Sequence, residues 1–332
     1  MSKYGKIQGI TKLEDIEILQ LVASAEQHRY SKSGDYSVTE LINPVRVGQL
    51  KKRYGAVAVP KLQSRIASMM GTAAHEFFEK YLNLAMQSSD YNTWPYYIEQ
   101  QMKQEFPVHT ADGNEIRTVS GRYDFRKEST IYDLKNIKCW KLIFDPHFEE
   151  FHQQQNLYAY LLGLEGTKIN RLEILANYKD WQAGSALRDK NYPQQPFLGY
   201  TLELWDEDRQ EEYLFERLQA HVNHEDTKDE DLPVCTREER WERHMGGEII
   251  HYAILKNRKA KRATKVVKGG ALEEAIVIAN GMKGMTTDSC IEIRYAKPKR
   301  CVDYCEINEY CSFYQNWAAK NGKVDEYINF KF

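Results

Sequence analysis

Between Leu62 and Cys139 the apolar residues change their period, and that change limits what the chain can fold into. Ala73, Ala74, Phe77, Phe78, Tyr81, Leu82 and Ala85 recur at helical spacing, so Leu62–Met86 is predicted to be a helix with one buried face. From Ile116 the pattern is that of strands. Arg117–Phe125 and Thr130–Cys139 read as a β-hairpin joined by the polar turn Arg126–Ser129, without an Asn-Gly or Asp-Gly signal. Phe148–Leu162 returns to helix and is punctuated by Gly163 and Gly166. Leu172–Asn177 and Gly199–Trp205 read as further strands, and Glu207–Val222 as an amphipathic helix. Ser37-Val38-Thr39-Glu40-Leu41 offers a helix start capped by Ser37 or Thr39. The order helix, hairpin, helix, strand, strand predicts an α/β fold, a central mixed β-sheet flanked by helices.

A chain of 332 residues has room for about two domains. Residues 1–34 read as a weakly helical N-terminal extension, 35–231 as the core, and 232–332 as a Cys-rich C-terminal segment. The acidic stretch Glu225–Asp231 reads as a solvated boundary between the last two. Lys and Arg number 46 against 48 Asp and Glu, so any binding of nucleic acid must come from local patches. No run of 18 apolar residues exists, and no membrane span is expected. Met1–Ile10 carries no apolar h-region, which together with six unstapled cysteines points to the cytoplasm. In a reducing compartment, clustered cysteines more often hold metal.

The segment richest in chemistry is Ser120-Gly121-Arg122-Tyr123-Asp124 followed by Ile131-Tyr132-Asp133-Leu134-Lys135. A strand alternates its side chains, so Asp133 and Lys135 share one face. Asp124 on the neighbouring strand would bring a second carboxylate to it. Two such carboxylates repel without a cation and form an oxygen site for Mg²⁺ or Mn²⁺. A lysine beside them can orient a water and stabilise charge on a phosphate. His75 lies on the predicted apolar helix, and Gln154 and Tyr158 fall on one face of a later helix at i,i+4.

Taken in order, His75, Asp124, Asp133-Leu134-Lys135 and Gln154…Tyr158 resemble the PD-(D/E)XK nuclease superfamily, and more closely its RecB-like branch. Ser37-Val-Thr-Glu-Leu-Ile-Asn-Pro44 is similar to the opening of phage-encoded members. The resemblance covers roughly residues 35–180 by motif. It implies a restriction-endonuclease-like core and a metal-dependent DNA nuclease. The implied activity is an exonuclease acting on ends or single strands in recombination, repair or phage replication, with a possible recombination or replication protein as partner. It further implies that His75, Asp124, Asp133 and the Leu134 carbonyl hold one or two divalent metals and that Lys135 positions or helps deprotonate the water. Gln154 and Tyr158 would organise the site. A non-catalytic nucleic-acid-binding or assembly module on the same fold is the alternative, and the complete set His75, Asp124, Asp133 and Lys135 argues against it.

Cys301, Cys305 and Cys311 form C-x3-C-x5-C, with Cys235 well upstream. Four thiolates suit either a [4Fe–4S] cluster or tetrahedral Zn²⁺. RecB-like nucleases with a cluster use one upstream and three C-terminal cysteines. Their C-terminal spacing is usually C-x2-C-x5-C, and their first cysteine often precedes the catalytic motifs, so this chain departs on both points. Cys290 is an alternative fourth ligand, and Cys139 reads as a buried strand residue. The run from Lys256 to Lys268 contains Arg258, Lys259, Lys261 and Arg262 with no acid between, and could track a nucleic-acid backbone.

Overall fold

The computed structural model describes residues 34–58, 62–87, 96–145, 147–243, 249–321 and 326–329. The predicted extension, residues 1–34, lies outside them apart from Gly34. Two compact units divide the chain: Met1–Asn43 with Pro60–Asp226, and Pro44–Val59 with Thr227–Phe332. The boundary thus falls at Asp226 rather than Asp231, and a short early segment belongs to the second unit. No helix among the described residues is long and apolar enough to cross a membrane.

The chain opens with β1 (Tyr36–Ser37) and α1 (Val38–Ile42), enters the second unit for α2 (Val45–Tyr54), and returns to the first with α3 (Leu62–Met86). Ser37 caps α1 through a full capping box: its hydroxyl accepts from the Glu40 N–H, and the Glu40 carboxylate accepts from the Ser37 N–H. The strands β2 (Tyr96–Ile98), β3 (Gln101–Thr110), β4 (Gly113–Arg122), β5 (Phe125–Lys127) and β6 (Thr130–Ile137) follow. Then come α4 (Cys139–Phe144), α5 (Glu149–Leu164), β7 (Arg171–Tyr178), α6 (Ala183–Ala186), β8 (Phe197–Leu202) and α7 (Glu207–Val222).

These strands make two mixed sheets flanked by helices. One runs β1-β4-β3, with β1 parallel and β3 antiparallel to β4; the other runs β2-β5-β6-β7-β8, with β6 and β7 the parallel pair. α5 is buried from Gln154 to Leu162, because it packs against strands of both sheets. Its Leu157 and Leu161 join Val119, Ile131, Leu172 and Ile174 in the core.

The hairpin differs from the predicted one. The ladder of β4 ends at Arg122, and the chain crosses at Tyr123–Asp124 from the smaller sheet to the larger. The hairpin proper is β5–β6, in which Lys127 faces Thr130 across a two-residue turn, with Glu128 at φ +50°. Alternation continues through the crossing, so the sequence alone does not reveal it. The predicted buried face of α3 is also different: Phe77 and Tyr81 are more than half exposed.

In the second unit, β9 (Ile250–Leu255) and β10 (Lys265–Lys268) form a hairpin. α8 (Leu272–Asn280), β11 (Cys290–Tyr295), α9 (Ser312–Asn321) and β12 (Glu326–Asn329) follow. The sheet β10-β9-β11-β12 is antiparallel, and α8 covers it through Ala275 and Ala279 against Tyr252, Ile254 and Ile291. A separate cluster gathers Leu50, Ala58, Leu232, Ile307 and Cys311. Beside it the buried Arg46 donates to the carbonyls of Leu232 and Pro233 and to the Ser312 hydroxyl. A buried guanidinium needs such acceptors, and these tie α2 to residues far along the chain.

Candidate metal centre

The crossing at Tyr123–Asp124 builds the site. β5 pairs with β6 only as far as Phe125 and Tyr132, so among the described residues that edge of β6 has no strand partner beyond Tyr132. Asp124 fills the gap: its Oδ2 accepts from the Leu134 N–H at 2.7 Å. Within one strand residue the N–H and C=O point to the same edge, so the Leu134 carbonyl faces the Asp124 side as well. On the other side of Asp124, Oδ1 lies 3.2 Å from His75 Nδ1 on α3. Burial opposes a charge on His75, but the hydrogen bond and charge of Asp124 outweigh it and raise the imidazole above its ordinary value.

Asp133 stands on the opposite course of β6, only 3% exposed. Lys135 shares its face, as the alternation predicts. The Lys135 ammonium lies 3.0 Å from Asp133 Oδ1 and 2.7 Å from Oδ2, and donates to Gln154 Oε1 at 3.1 Å. Nζ also lies 4.8 Å from the centre of the Phe151 ring. Burial opposes the charge on Lys135, yet Asp133 and Asp124 outweigh that and keep the ammonium protonated. Asp133 Oδ2, although close to Nζ, is fully buried and receives no hydrogen bond of acceptable angle. Burial, reinforced by Asp124 and opposed by Lys135, pushes this carboxyl up to about 6.

A polar chain holds the lysine in place. Gln154 Nε2 donates to Thr39 Oγ1 at 3.0 Å, and the capped turn of α1 fixes Thr39. Thr39 and Gln154 also hydrogen-bond the Tyr158 hydroxyl, while burial raises that phenol far above its ordinary range, so it stays neutral. The Tyr158 ring lies against Gly121, where a Cβ would sit 2.9 Å from Cε1 and 3.2 Å from the Met102 methyl. Only glycine lets β4 pass this close, which explains the glycine before Asp124.

His75, Asp124, Asp133, Lys135, Gln154 and Tyr158 are therefore brought together. The sequence reading missed two members. Thr39 was visible only as a cap candidate. Glu99, between β2 and β3, has no motif; its ligand oxygen, His75 and Asp124 lie within 4.8 Å of one another. The donor set of carboxylates, one imidazole and a strand carbonyl suits a hard divalent cation. The Asp133 Oδ2 is compensated by the Lys135 ammonium at 2.7 Å without a well-aligned hydrogen bond.

Cys235, Cys301, Cys305 and Cys311 line one cavity with Arg46 and Arg240. Burial, reinforced by neighbouring thiols, pushes Cys301 up to about 12, and burial with Glu239 does the same for Cys235. The four are not drawn together as a ready ligand set: among the described residues, no three of their sulfurs lie within 4.8 Å of one another. Cys290 is buried in β11 away from that cavity, and Cys139 opens α4, its thiol donating to the Tyr192 hydroxyl. Arg258, Lys259, Lys261 and Arg262 are exposed on the β9–β10 hairpin loop, with the Arg258 guanidinium 5.5 Å from the Tyr327 ring.

No family model matches the chain, and no curated protein does. Among solved structures it is similar to one titled "Crystal structure of SSO0001", at 13% identity and a TM-score of 0.41, over 60% of this chain and 83% of that one. A superposition that loose does not establish a shared fold.

The Asp133 carboxyl generates a pH prediction. An unfolded Asp titrates at about 3.9, and burial pushes this one up to about 6. The folded, metal-free chain therefore binds that proton more tightly, and its stability falls as pH rises through the window. A cation needs the ionised form, so Mn²⁺ affinity should rise as pH climbs through about 6. Asp133→Asn should lack that step. Calorimetric Mn²⁺ titrations on both sides of this pH check it, and an affinity that is flat with pH in the wild type contradicts it.

Proposed function

We propose that the protein is a metal-dependent DNA nuclease, an exonuclease of PD-(D/E)XK type working on ends or single strands. One observation carries the reading: Asp124 meets the edge of β6 beside Leu134, while Asp133 on that strand is buried against a protonated Lys135. When bound by His75, Asp124, Asp133 and the Leu134 carbonyl, Mg²⁺ or Mn²⁺ would acidify a water and neutralise charge on a scissile phosphate. Lys135, fixed by Gln154, holds a positive charge where a phosphate oxygen or the attacking water would sit. Tyr158 keeps Gln154 and Thr39 in register and, as a neutral phenol, takes no proton from the reaction. A non-catalytic binding module would have no use for a lysine held beside a buried aspartate.

DNA itself would be held in part by the exposed basic loop between β9 and β10, through phosphate contacts that weaken with salt. The test uses end-labelled single- and double-stranded DNA with Mg²⁺ or Mn²⁺, beside circular substrates. Wild type should degrade the linear forms. Asp133→Ala should abolish cutting, and Lys135→Ala should slow turnover about 10²–10³-fold while still binding Mn²⁺. Charge reversal of Arg258, Lys259 and Arg262 should weaken DNA binding by the inactive Asp133→Ala protein and flatten its salt dependence. Cutting by Asp133→Ala at the wild-type rate would defeat the nuclease reading.

We also propose that Cys235, Cys301, Cys305 and Cys311 hold a [4Fe–4S] cluster, with Zn²⁺ as the alternative. A single zinc ion at ~2.3 Å from each sulfur would need all four roughly 3.8 Å apart, and no three of them lie within 4.8 Å of one another here. The arginines lining the cavity would offset thiolate charge. Anaerobically purified protein should be brown, and Cys305→Ser should lose iron and melting temperature together. Colourless, stably folded protein without metal would contradict both assignments.

A further inference from the structure

Just past Lys135 the chain leaves β6 and enters α4, a short helix outside every motif. Its inner side is anchored. Cys139 is buried; its N–H donates to Asp180 Oδ1 at 2.7 Å and its thiol to the Tyr192 hydroxyl at 3.1 Å. Leu142 packs on the core, and the Asp145 N–H closes the helix on the Lys141 carbonyl at 2.9 Å. The outer side is apolar. Trp140 is 49% exposed, Ile143 is exposed at i,i+3 from it, and Lys138 and Lys141 flank the indole in sequence. An exposed indole on a fixed element, with lysines to either side, suits a ligand that offers both a flat apolar face and negative charge.

α4 is also tied to the lysine of the metal centre. The Phe151 ring carries two ammonium groups: Lys135 Nζ lies 4.8 Å from its centre and Lys141 Nζ 4.9 Å. Asp145 Oδ2 holds Lys141 there at 2.8 Å, with Glu150 Oε2 at 3.8 Å, and Asp145 Oδ1 accepts from the Glu149 N–H. An ammonium has three donors, so Lys141 can keep Asp145 and still donate to a phosphate. Nucleotides in a stacked strand step by roughly 3.4 Å. A phosphate beside Lys135 therefore brings its neighbours within reach of Lys141, and Trp140 is the adjoining residue. Bases of a duplex are already stacked on both faces, whereas an unpaired base can cover an indole.

We propose that Lys138, Trp140 and Lys141 form a subsite for an unpaired nucleotide beside the scissile phosphate, with the base stacked on Trp140 and the backbone held by the two lysines. This rests on the reading of the protein as a nuclease, and it narrows the substrate to single-stranded DNA. An indole stacks on any base and a lysine reads none, so the subsite holds the strand without regard to sequence.

The test is binding of labelled oligothymidylate to the full chain in the Asp133→Ala background, beside an abasic strand of equal length and a blunt duplex. Trp140→Ala should weaken binding of the oligothymidylate by about tenfold to hundredfold and leave the abasic strand and the duplex unchanged. Trp140→Phe should recover most of the loss. Lys138→Gln combined with Lys141→Gln should lower the log–log salt slope for the single strand by about 0.7 per lysine; this arm does not depend on how well Trp140→Ala folds. Unchanged oligothymidylate affinity in Trp140→Ala, an equal loss on the abasic strand or the duplex, or an unchanged salt slope in the lysine variant overturns the subsite alone. A wild type that cuts no linear DNA with Mg²⁺ or Mn²⁺ overturns the nuclease reading itself.

Discussion

A carboxylate at Asp133 faces inward from the middle of a five-stranded sheet, where an unpaired charge is costly. Lys135 reduces that cost from the same strand face, and the rest of the surroundings serve the lysine. Gln154 accepts a hydrogen bond from it, Thr39 accepts from Gln154, and the capping box of α1 fixes Thr39. Tyr158 closes the chain and leans on Gly121. Four elements distant in sequence are positioned by one buried ion pair. The pair leaves one carboxylate oxygen without a hydrogen bond, and Asp124 adds a second acid nearby. Two carboxylates this close favour a further positive charge beside them.

The break between β4 and β5 is what lets Asp124 take part. Had the strand continued, its backbone would have paired along β6 and its side chain would have alternated away. By crossing between sheets, the chain places a carboxylate across an unpaired edge and its main-chain carbonyl on Glu99. The cysteine cavity is built differently. Its four residues come from loops and short helices of the second unit, and three arginines and one carboxylate, Glu239, line the cavity with them.

Much of this was legible in the sequence. Leu62–Met86 and Glu207–Val222 show their helical period over long spans and were read to the residue. The order of His75, Asp124, Asp133, Lys135, Gln154 and Tyr158 was legible because all but Asp124 lie on regular elements with a fixed face. What escaped depends on tertiary placement. β3 alternates Met102, Phe106 and Val108 inward, but Pro107 and its charged neighbours obscure the pattern. β9 is a continuous apolar run, equally compatible with buried helix. The exposure of Phe77 and Tyr81 follows from which side of α3 the sheet meets, and periodicity does not give that. Glu99 has no periodic or motif signal; only the fold brings it to Asp124.

The central claim is that the open edge of β6 between Asp124 and Asp133 is a divalent-cation site. Anomalous diffraction at the manganese edge, from crystals of the full chain soaked in Mn²⁺, tests it most directly. The account predicts a peak bonded to carboxylate oxygens of both Asp124 and Asp133 and to the Leu134 carbonyl, at roughly 2.0–2.4 Å. A map from saturated crystals with no peak there, and with Lys135 still alone beside Asp133, would contradict it.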